Sequence, residues 1–313
     1  MSEDLQRLAT AIRDAPGLRS KRDLALLALQ GLNIDGDDAA ALPHGDGHLV
    51  LCGEAILPAL VADDPFAAGA AAVATNVADV RAMGGRPLGL VDTLVSPDRE
   101  HARRVLEGLA WASDLLGVPI VGGHTTLGGP PALSAFCTGS ARRVLRAAAA
   151  RPGDVLLAAF SLDGRFRDDP PIFTSLGARE PALLREDGEA LVEVAERELC
   201  HAARDVSMPG VAGSLLQMLE LCDAGAVLDL DRLPRPATVA VDRWVMAFPS
   251  FGFVLAAPPD RVDAAVEAFT RRRLTCAACG AFDDSRVLRI ANAGATAVVW
   301  DLAKERLTGL GRG

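Results

Sequence analysis

The stretch PFAAGAAAVATNVADVRAMGGRPLGLVDTLVSPD, residues 65–98, is where the fold is decided. From Phe66 to Met83 nearly every residue is Ala, Val or Gly, which reads as a helix of small residues. Gly84-Gly85 breaks that helix, and Leu88–Val95 continues as an apolar strand. A helix that is apolar all round is normally buried. Asn76 and Asp79 stand out within it, three residues apart and therefore on one face. A buried carboxylate is costly without a partner. The partner is a neighbouring Arg, a backbone donor or a metal ion, and residue types alone leave the three open.

Two helical stretches precede this segment, about Glu3–Ala15 and Ser20–Gly31, joined at Pro16-Gly17. Residues 33–40, NIDGDDAA, read as a Gly/Asp turn running into small residues, and His48–Ala55 as a strand that ends at Glu54. Downstream, an amphipathic helix runs from Asp98 to Leu116 and stops at Gly117. Gly122-Gly123-His124-Thr125-Thr126 reads as another turn, before a strand at Ala132–Ala141. The turn cluster Ala150–Asp154 leads into the strand Val155–Phe160 and puts a domain boundary near residue 145, giving domains 1–145 and 146–313.

In the second half, Ser161–Glu180 reads as an extended loop and Glu186–Ala203 as a helix. Pro209 suits the first turn of a further helix reaching about Leu221. Strands at Ala226–Leu230, Ser250–Ala257, Val287–Ile290 and Ala297–Trp300, with a helix at Asp260–Arg272, complete the chain. Uniform strand–helix alternation is missing, which favours α+β over a doubly wound parallel sheet.

Composition narrows the function. The chain has 313 residues, half of them apolar, and a net charge of −9, against the basic face that nucleic-acid binding needs. The charged N-terminus lacks the apolar core of a signal peptide, and no stretch has the apolar length to span a bilayer. The expectation is a soluble, cytoplasmic protein. Cys276-Ala-Ala-Cys279 is a lone C-x-x-C without a second pair, so the six cysteines read as structural.

No P-loop, dinucleotide fingerprint or nucleophile elbow occurs. What remains is a dispersed set of acidic positions: Asp37 and Asp38 in a turn, Glu54 at a strand end, Asp79 on the buried helix, and Asp205 before Pro209. Hard oxygen donors of this kind suit Mg²⁺, completed by water and substrate phosphates. The glycine turns at 84–85 and 122–123 offer backbone amides to phosphate oxygens. Each residue also has an ordinary reading. Asp37 and Asp38 suit a turn, Asp205 a helix cap, and Asn76 with Asp79 a closed hydrogen-bond network. His124 suits a structural place in a Gly-rich turn.

Taken together and in order, these segments resemble the superfamily of aminoimidazole ribonucleotide synthetase, selenide water dikinase and thiamine-monophosphate kinase. The resemblance rests on Gly36-Asp37-Asp38-Ala39-Ala40, on Asn76–Leu88 (NVADVRAMGGRPL), on Gly122-Gly123-His124-Thr125, on Ala150–Asp154 and on Arg204–Gly213. It implies a two-domain, PurM-like α+β architecture in which the N-terminal domains pair into a dimeric β-barrel, here as a homodimer. It implies ATP and Mg²⁺ as cofactors and a small-molecule substrate. Carried over by position, Asp37, Glu54, Asp79 and Asp205 would hold metal, and Asp38, Asn76, Gly122, Gly123, His124 and Thr125 would line the nucleotide. Arg143 and Arg165 are candidates for phosphate contacts from their place near loops.

The chain also departs from the pattern. Glu54 stands where the family carries Asp, and Asp205 is followed by Val-Ser-Met-Pro-Gly. No Cys precedes Cys52 and the only early Lys is Lys21, which weakens a selenide dikinase reading. Asp205–Gly210 and Pro249–Phe253 are closer to the AIR synthase-related proteins. Two further readings stand beside an ATP-using enzyme: a nucleotide-binding dimer without catalysis, in a regulatory or partner role, and a structural dimer without ligand.

Overall fold

The computed structural model describes residues 2–26, 36–167 and 171–310. The end of the second expected helix, the start of the Asn33–Ala40 turn and part of the expected 161–180 loop lie outside those residues. The chain divides into two compact units, and neither is one continuous segment. One comprises Asp38–Val144 with Leu176–Val192, and the other Met1–Asp37, Leu145–Ser175 and Glu193–Gly313. A division at residue 145 therefore describes one of several crossings. The N-terminal 37 residues belong with the C-terminal half, and residues 176–192 belong with the N-terminal half.

In chain order, the described residues open with helices α1 (Ser2–Asp14) and α2 (Pro16–Arg19). Strands β1 (Ala40–His44) and β2 (Gly47–Ala55) form a hairpin. Helices α3 (Pro58–Asp63) and α4 (Pro65–Ala82) lead to β3 (Arg86–Ser96), α5 (Arg99–Leu116), β4 (Ile120–Leu127) and β5 (Ala132–Ala141). The five strands form one mixed sheet in the order β1-β2-β5-β3-β4, antiparallel except for β3 with β4.

Helix α4 forms for legible reasons. Asp64 caps its start by accepting the Ala67 N–H at 3.1 Å, and Pro65 occupies the first turn, where no N–H is needed. It ends where Gly84 adopts a φ of +74°, a region glycine enters without penalty. Buried residues lie on every side of α4, in line with its all-apolar sequence. Helix α5 is capped in the same manner by Asp98 on the His101 N–H, and stops at Gly117 with φ +68°. The two helices cross at Gly69 and Gly108. A Cβ on Gly69 would fall 2.1 Å from the Val105 carbonyl oxygen, and one on Gly108 2.0 Å from that of Phe66.

The sheet alternates as a half-covered sheet should. Leu133, Ala135 and Cys137 of β5 turn inward with Val50, Leu90 and Leu94 to form one core with α4 and α5. On the opposite face, Phe136 sits directly across from Val91 and is 46% exposed. Leu42 and Leu51, also exposed, belong to the same outward series.

The other unit contains β6 (Val155–Phe160), β7 (Arg165–Arg167) and β8 (Ile172–Thr174). Helices α6 (Pro181–Asp187) and α7 (Glu189–Glu196) follow in sequence, and α6 lies within the stretch that belongs to the first unit. Next come β9 (Ala202–Asp205), α8 (Gly210–Cys222), β10 (Gly225–Asp229), α9 (Val241–Val245), β11 (Phe248–Pro249), β12 (Gly252–Ala257), α10 (Val262–Thr270), β13 (Thr275–Asp283), β14 (Val287–Asn292) and β15 (Ala295–Asp301). Seven strands form a sheet in the order β15-β14-β10-β13-β6-β12-β9, mostly antiparallel, as expected for α+β. A three-stranded sheet, β11-β8-β7, adds to it.

Two expectations need correction. The single helix read at Glu186–Ala203 is a break at Gly188 followed by α7, and the chain is extended again from Ala202. Gly188 is placed against the Arg81 side chain, where a Cβ would lie 2.3 Å from Nε. The loop at 161–180 carries the short strands β7 and β8. The cysteines at 276 and 279 lie buried in β13, and burial pushes the Cys279 thiol up to about 12.

Candidate functional site

Asp79 is held by the buried helix α4 and is itself 6% exposed. Asp38 occupies the bend that enters β1, and one of its carboxylate oxygens lies within 4.8 Å of one on Asp79. Two carboxylates this close repel unless a proton or a cation intervenes. Their oxygens are the hard donors that Mg²⁺ takes, so the donor set fits that ion.

Asp37, read from the sequence as a metal ligand, also makes a structural contact. Its Oδ2 accepts the Ala147 backbone N–H at 2.9 Å. Of the adjacent pair, Asp38 is the residue whose carboxylate meets that of Asp79. Neighbouring residues of a turn point their side chains differently, and the sequence gives no rule for which one faces the helix.

Asn76, expected along a nucleotide, is wholly buried, and its Nδ2 donates to the Ala72 carbonyl at 2.9 Å. The Cys52 thiol donates to the Asn76 backbone carbonyl at 3.3 Å and lies 3.4 Å from its Oδ1. Asn76 thus ties α4 to β2. Burial, and after it the charge of Asp79, raises the Cys52 thiol pKa; the same two causes push Cys137 up to about 12. Neither thiol is activated as a nucleophile.

Gly122, Gly123, His124 and Thr125 do not form a turn. They lie in β4, the edge strand, in parallel register with Val91, Asp92, Thr93 and Leu94 of β3. Pairing with β3 extends them, a tertiary effect that overrides the Gly-Gly signal. All four are exposed, so β4 presents backbone and side chains to solvent. Glu54 is exposed near the end of β2, opposite Ala135. Asp205 ends β9, opposite Phe253, and is 4% exposed; it is a strand-end carboxylate, not a helix cap. Arg143 is exposed just after β5, and Arg165 is exposed at the start of β7.

One acidic residue escaped the sequence reading. Asp92 sits on the inward face of β3 beside Gly123, where a Cβ would meet Asp92 Oδ1 at 2.3 Å. Among the described residues its buried Oδ2 has no hydrogen-bond partner. A lone Asp inside the apolar run GLVDTLV was the available signal. Burial raises its pKa. The folded state therefore keeps the proton to higher pH than the unfolded chain, and stability falls as pH rises through that interval. Asp92→Asn is expected to raise the melting temperature at pH 7 and to converge with wild type only well below about pH 3.9, where both states of the wild type are protonated. Melting curves across that range check it; an equal gap at every pH contradicts it.

Residues 176–192 are fixed within their unit by charge. Arg179 and Asp187 form a buried two-pronged ion pair, each hydrogen bond 2.8 Å long. Arg81 Nη2 donates to the Leu184 carbonyl at 3.1 Å, and Arg86 pairs with Glu189. The helix that carries Asp79 thus also anchors α6.

These observations define a two-unit α+β protein with paired carboxylates on the first unit. The chain belongs to the AIR synthase-related, PurM-like superfamily. The family of AIR synthase related protein, N-terminal domain, matches residues 36–141, and that of the C-terminal domain matches residues 152–291. An uncharacterised protein of Synechocystis is 34% identical over 97% of this chain and 98% of its own length. Selenide, water dikinase of Myxococcus xanthus is 33% identical over 68% of this chain and 63% of its own. Among solved structures, T. maritima PurL complexed with AMPPCP superimposes with a TM-score of 0.78 at 18% identity. That comparison covers 99% of this chain but 52% of PurL, so the chain spans about half of the PurL polypeptide. Among the described residues, no helix is long and apolar enough to cross a membrane.

Proposed function

We propose that this protein binds ATP with Mg²⁺ and uses it on a small molecule, by transferring phosphate or by activating an oxygen. The observation that carries this reading is the approach of Asp38 to Asp79 within 4.8 Å, at the positions where the G-D-D-A-A and N-x-x-D segments resemble the superfamily. A divalent cation bound there neutralises both carboxylates and offers its remaining positions to phosphate oxygens. Relatives support the ligand class: one is named selenide, water dikinase, and PurL was solved with AMPPCP.

In this reading Asp38 and Asp79 hold the metal, while Asp37 secures the turn through Ala147. Glu54 and Asp205 are further carboxylates, assigned by sequence position. The exposed edge of β4 at Gly122–Thr125 offers backbone N–H groups to a nucleotide. The chain's own contribution to chemistry is placement and charge neutralisation, the main demand of phosphoryl transfer. Isothermal titration tests the reading: Mg·ATP is expected to bind in the micromolar range and ATP in EDTA far more weakly. Absence of binding by the wild type overturns it. ADP or phosphate release with a metabolite mixture separates an enzyme from a binding protein that has lost catalysis; the departure at Glu54 keeps that second reading in play.

The exposed apolar face bearing Leu42, Leu51, Val91 and Phe136 supports a homodimer formed through the first unit's sheet, since patches of this kind mark interfaces. Phe136→Asp is expected to turn a dimer into a monomer in light scattering. A wild type that is monomeric at tens of micromolar contradicts the dimer.

A further inference from the structure

Glu220, on α8, is 5% exposed, and among the described residues its carboxylate accepts hydrogen bonds from the C-terminal segment. Oε1 accepts the Leu307 N–H at 2.9 Å and the Gly309 N–H at 3.1 Å. Oε2 accepts the Thr308 N–H at 2.9 Å and its hydroxyl at 2.5 Å. Arg306 adds its guanidinium 3.6 Å from Oε1. A carboxylate that gathers several backbone donors is a strong anchor, because charged hydrogen bonds exceed neutral ones.

The anchored segment reaches the acidic turn. A Cβ on Gly36 would lie 3.1 Å from the Leu310 Cβ and 2.9 Å from Leu221 Cδ2, so both side chains pack directly beneath that glycine. Gly36 has a φ of +76°, which suits glycine and holds the turn sharply. Its carbonyl accepts Arg204 Nη1 at 3.3 Å, while Arg204 Nη2 donates to Gln217 Oε1, also at 3.3 Å. Gln217, Glu220 and Leu221 are three and four residues apart and share one face of α8. Arg204 immediately precedes Asp205, and Gly36-Asp37 immediately precede Asp38. The tail, α8 and Arg204 therefore form one connected support for residues adjoining two proposed carboxylates.

We propose that Arg306–Leu310 is a latch: closed on Glu220, it sets the Gly36–Asp37 turn and so the affinity of the site for Mg·ATP, and its release weakens binding without a change in any ligand residue. The affinity part rests on the function proposed above; the mechanical part does not. Leu310→Ala and Glu220→Gln test both. In hydrogen–deuterium exchange without ligand, backbone amides at 36–41 are expected to exchange roughly tenfold faster, with those of α4 unaltered. In titration with Mg·ATP, the dissociation constant is expected to rise by roughly tenfold, about the effect of losing supporting contacts around metal ligands.

Unaltered exchange at 36–41 overturns the latch whether or not nucleotide binds. Faster exchange with an unaltered dissociation constant overturns its link to the site. A wild type that binds no Mg·ATP overturns both the function reading and that link, and the exchange data still decide the mechanical part. Should Glu220→Gln fail to fold, Leu310→Ala decides alone, since it shortens one half-buried side chain and leaves every Glu220 hydrogen bond in place.

Discussion

Asp79→Asn is expected to weaken Mg·ATP binding at least ~100-fold, about 2.8 kcal/mol at 1.4 kcal/mol per decade. Removing one of two carboxylates within 4.8 Å takes from the dication the negative charge that buried α4 supplies. The amide still offers an oxygen, so the loss is in charge more than in shape. The same substitution has the opposite effect without metal. Two nearby carboxylates destabilise each other, so in EDTA the variant is expected to melt no lower than the wild type. Ligand-linked stabilisation grows as RT ln(1 + [L]/Kd). Mg·ATP should therefore raise the melting temperature of the wild type by several degrees and leave that of Asp79→Asn almost unmoved. Equal ligand-induced shifts in the two proteins would remove Asp79 from the site.

Why Asp79 was legible while its neighbours were not follows from how each is positioned. Helix α4 and its stop at Gly84 come from local rules: Asp64 capping, Pro65 in the first turn, and a left-handed glycine. Those rules are written in adjacent residues, so the sequence places Asp79 on a buried helix. The Gly122–Thr125 segment is extended by β3, which lies some thirty residues away in the chain, and local turn signals point the wrong way. Choosing between Asp37 and Asp38 depends on Ala147, contributed from more than a hundred residues downstream. The interleaving of the two units is equally non-local, because 176–192 is attached to its unit by Arg81 and Arg86 acting on Leu184 and Glu189. Asp92 was missed although a lone Asp in an apolar strand is a local signal, while its close approach to Gly123 has no local signal at all.

The closeness of α4 and α5 gives the second large effect: Gly108→Ala is expected to destabilise the protein by about 3 kcal/mol or more, near the upper end for overpacking. The new Cβ would lie 2.0 Å from the Phe66 carbonyl oxygen and 3.1 Å from the Ala70 nitrogen. Those atoms are backbone, so no rotamer change relieves the contact and the helices must separate. Separation opens the apolar seam containing Val73, Val105 and Leu109, each almost wholly buried. For a chain of this size the melting temperature should fall by roughly 4–5 °C or more. Gly69→Ala meets the Val105 carbonyl at 2.1 Å at the same crossing, so the double variant should lose less than the sum of the singles, because one displacement relieves both overlaps. Asp79 rides on the displaced helix, and Mg·ATP affinity should drop in Gly108→Ala even well below its melting temperature. A fall of less than about 2 °C, or strict additivity in the double variant, would show that the two helices do not approach at these glycines.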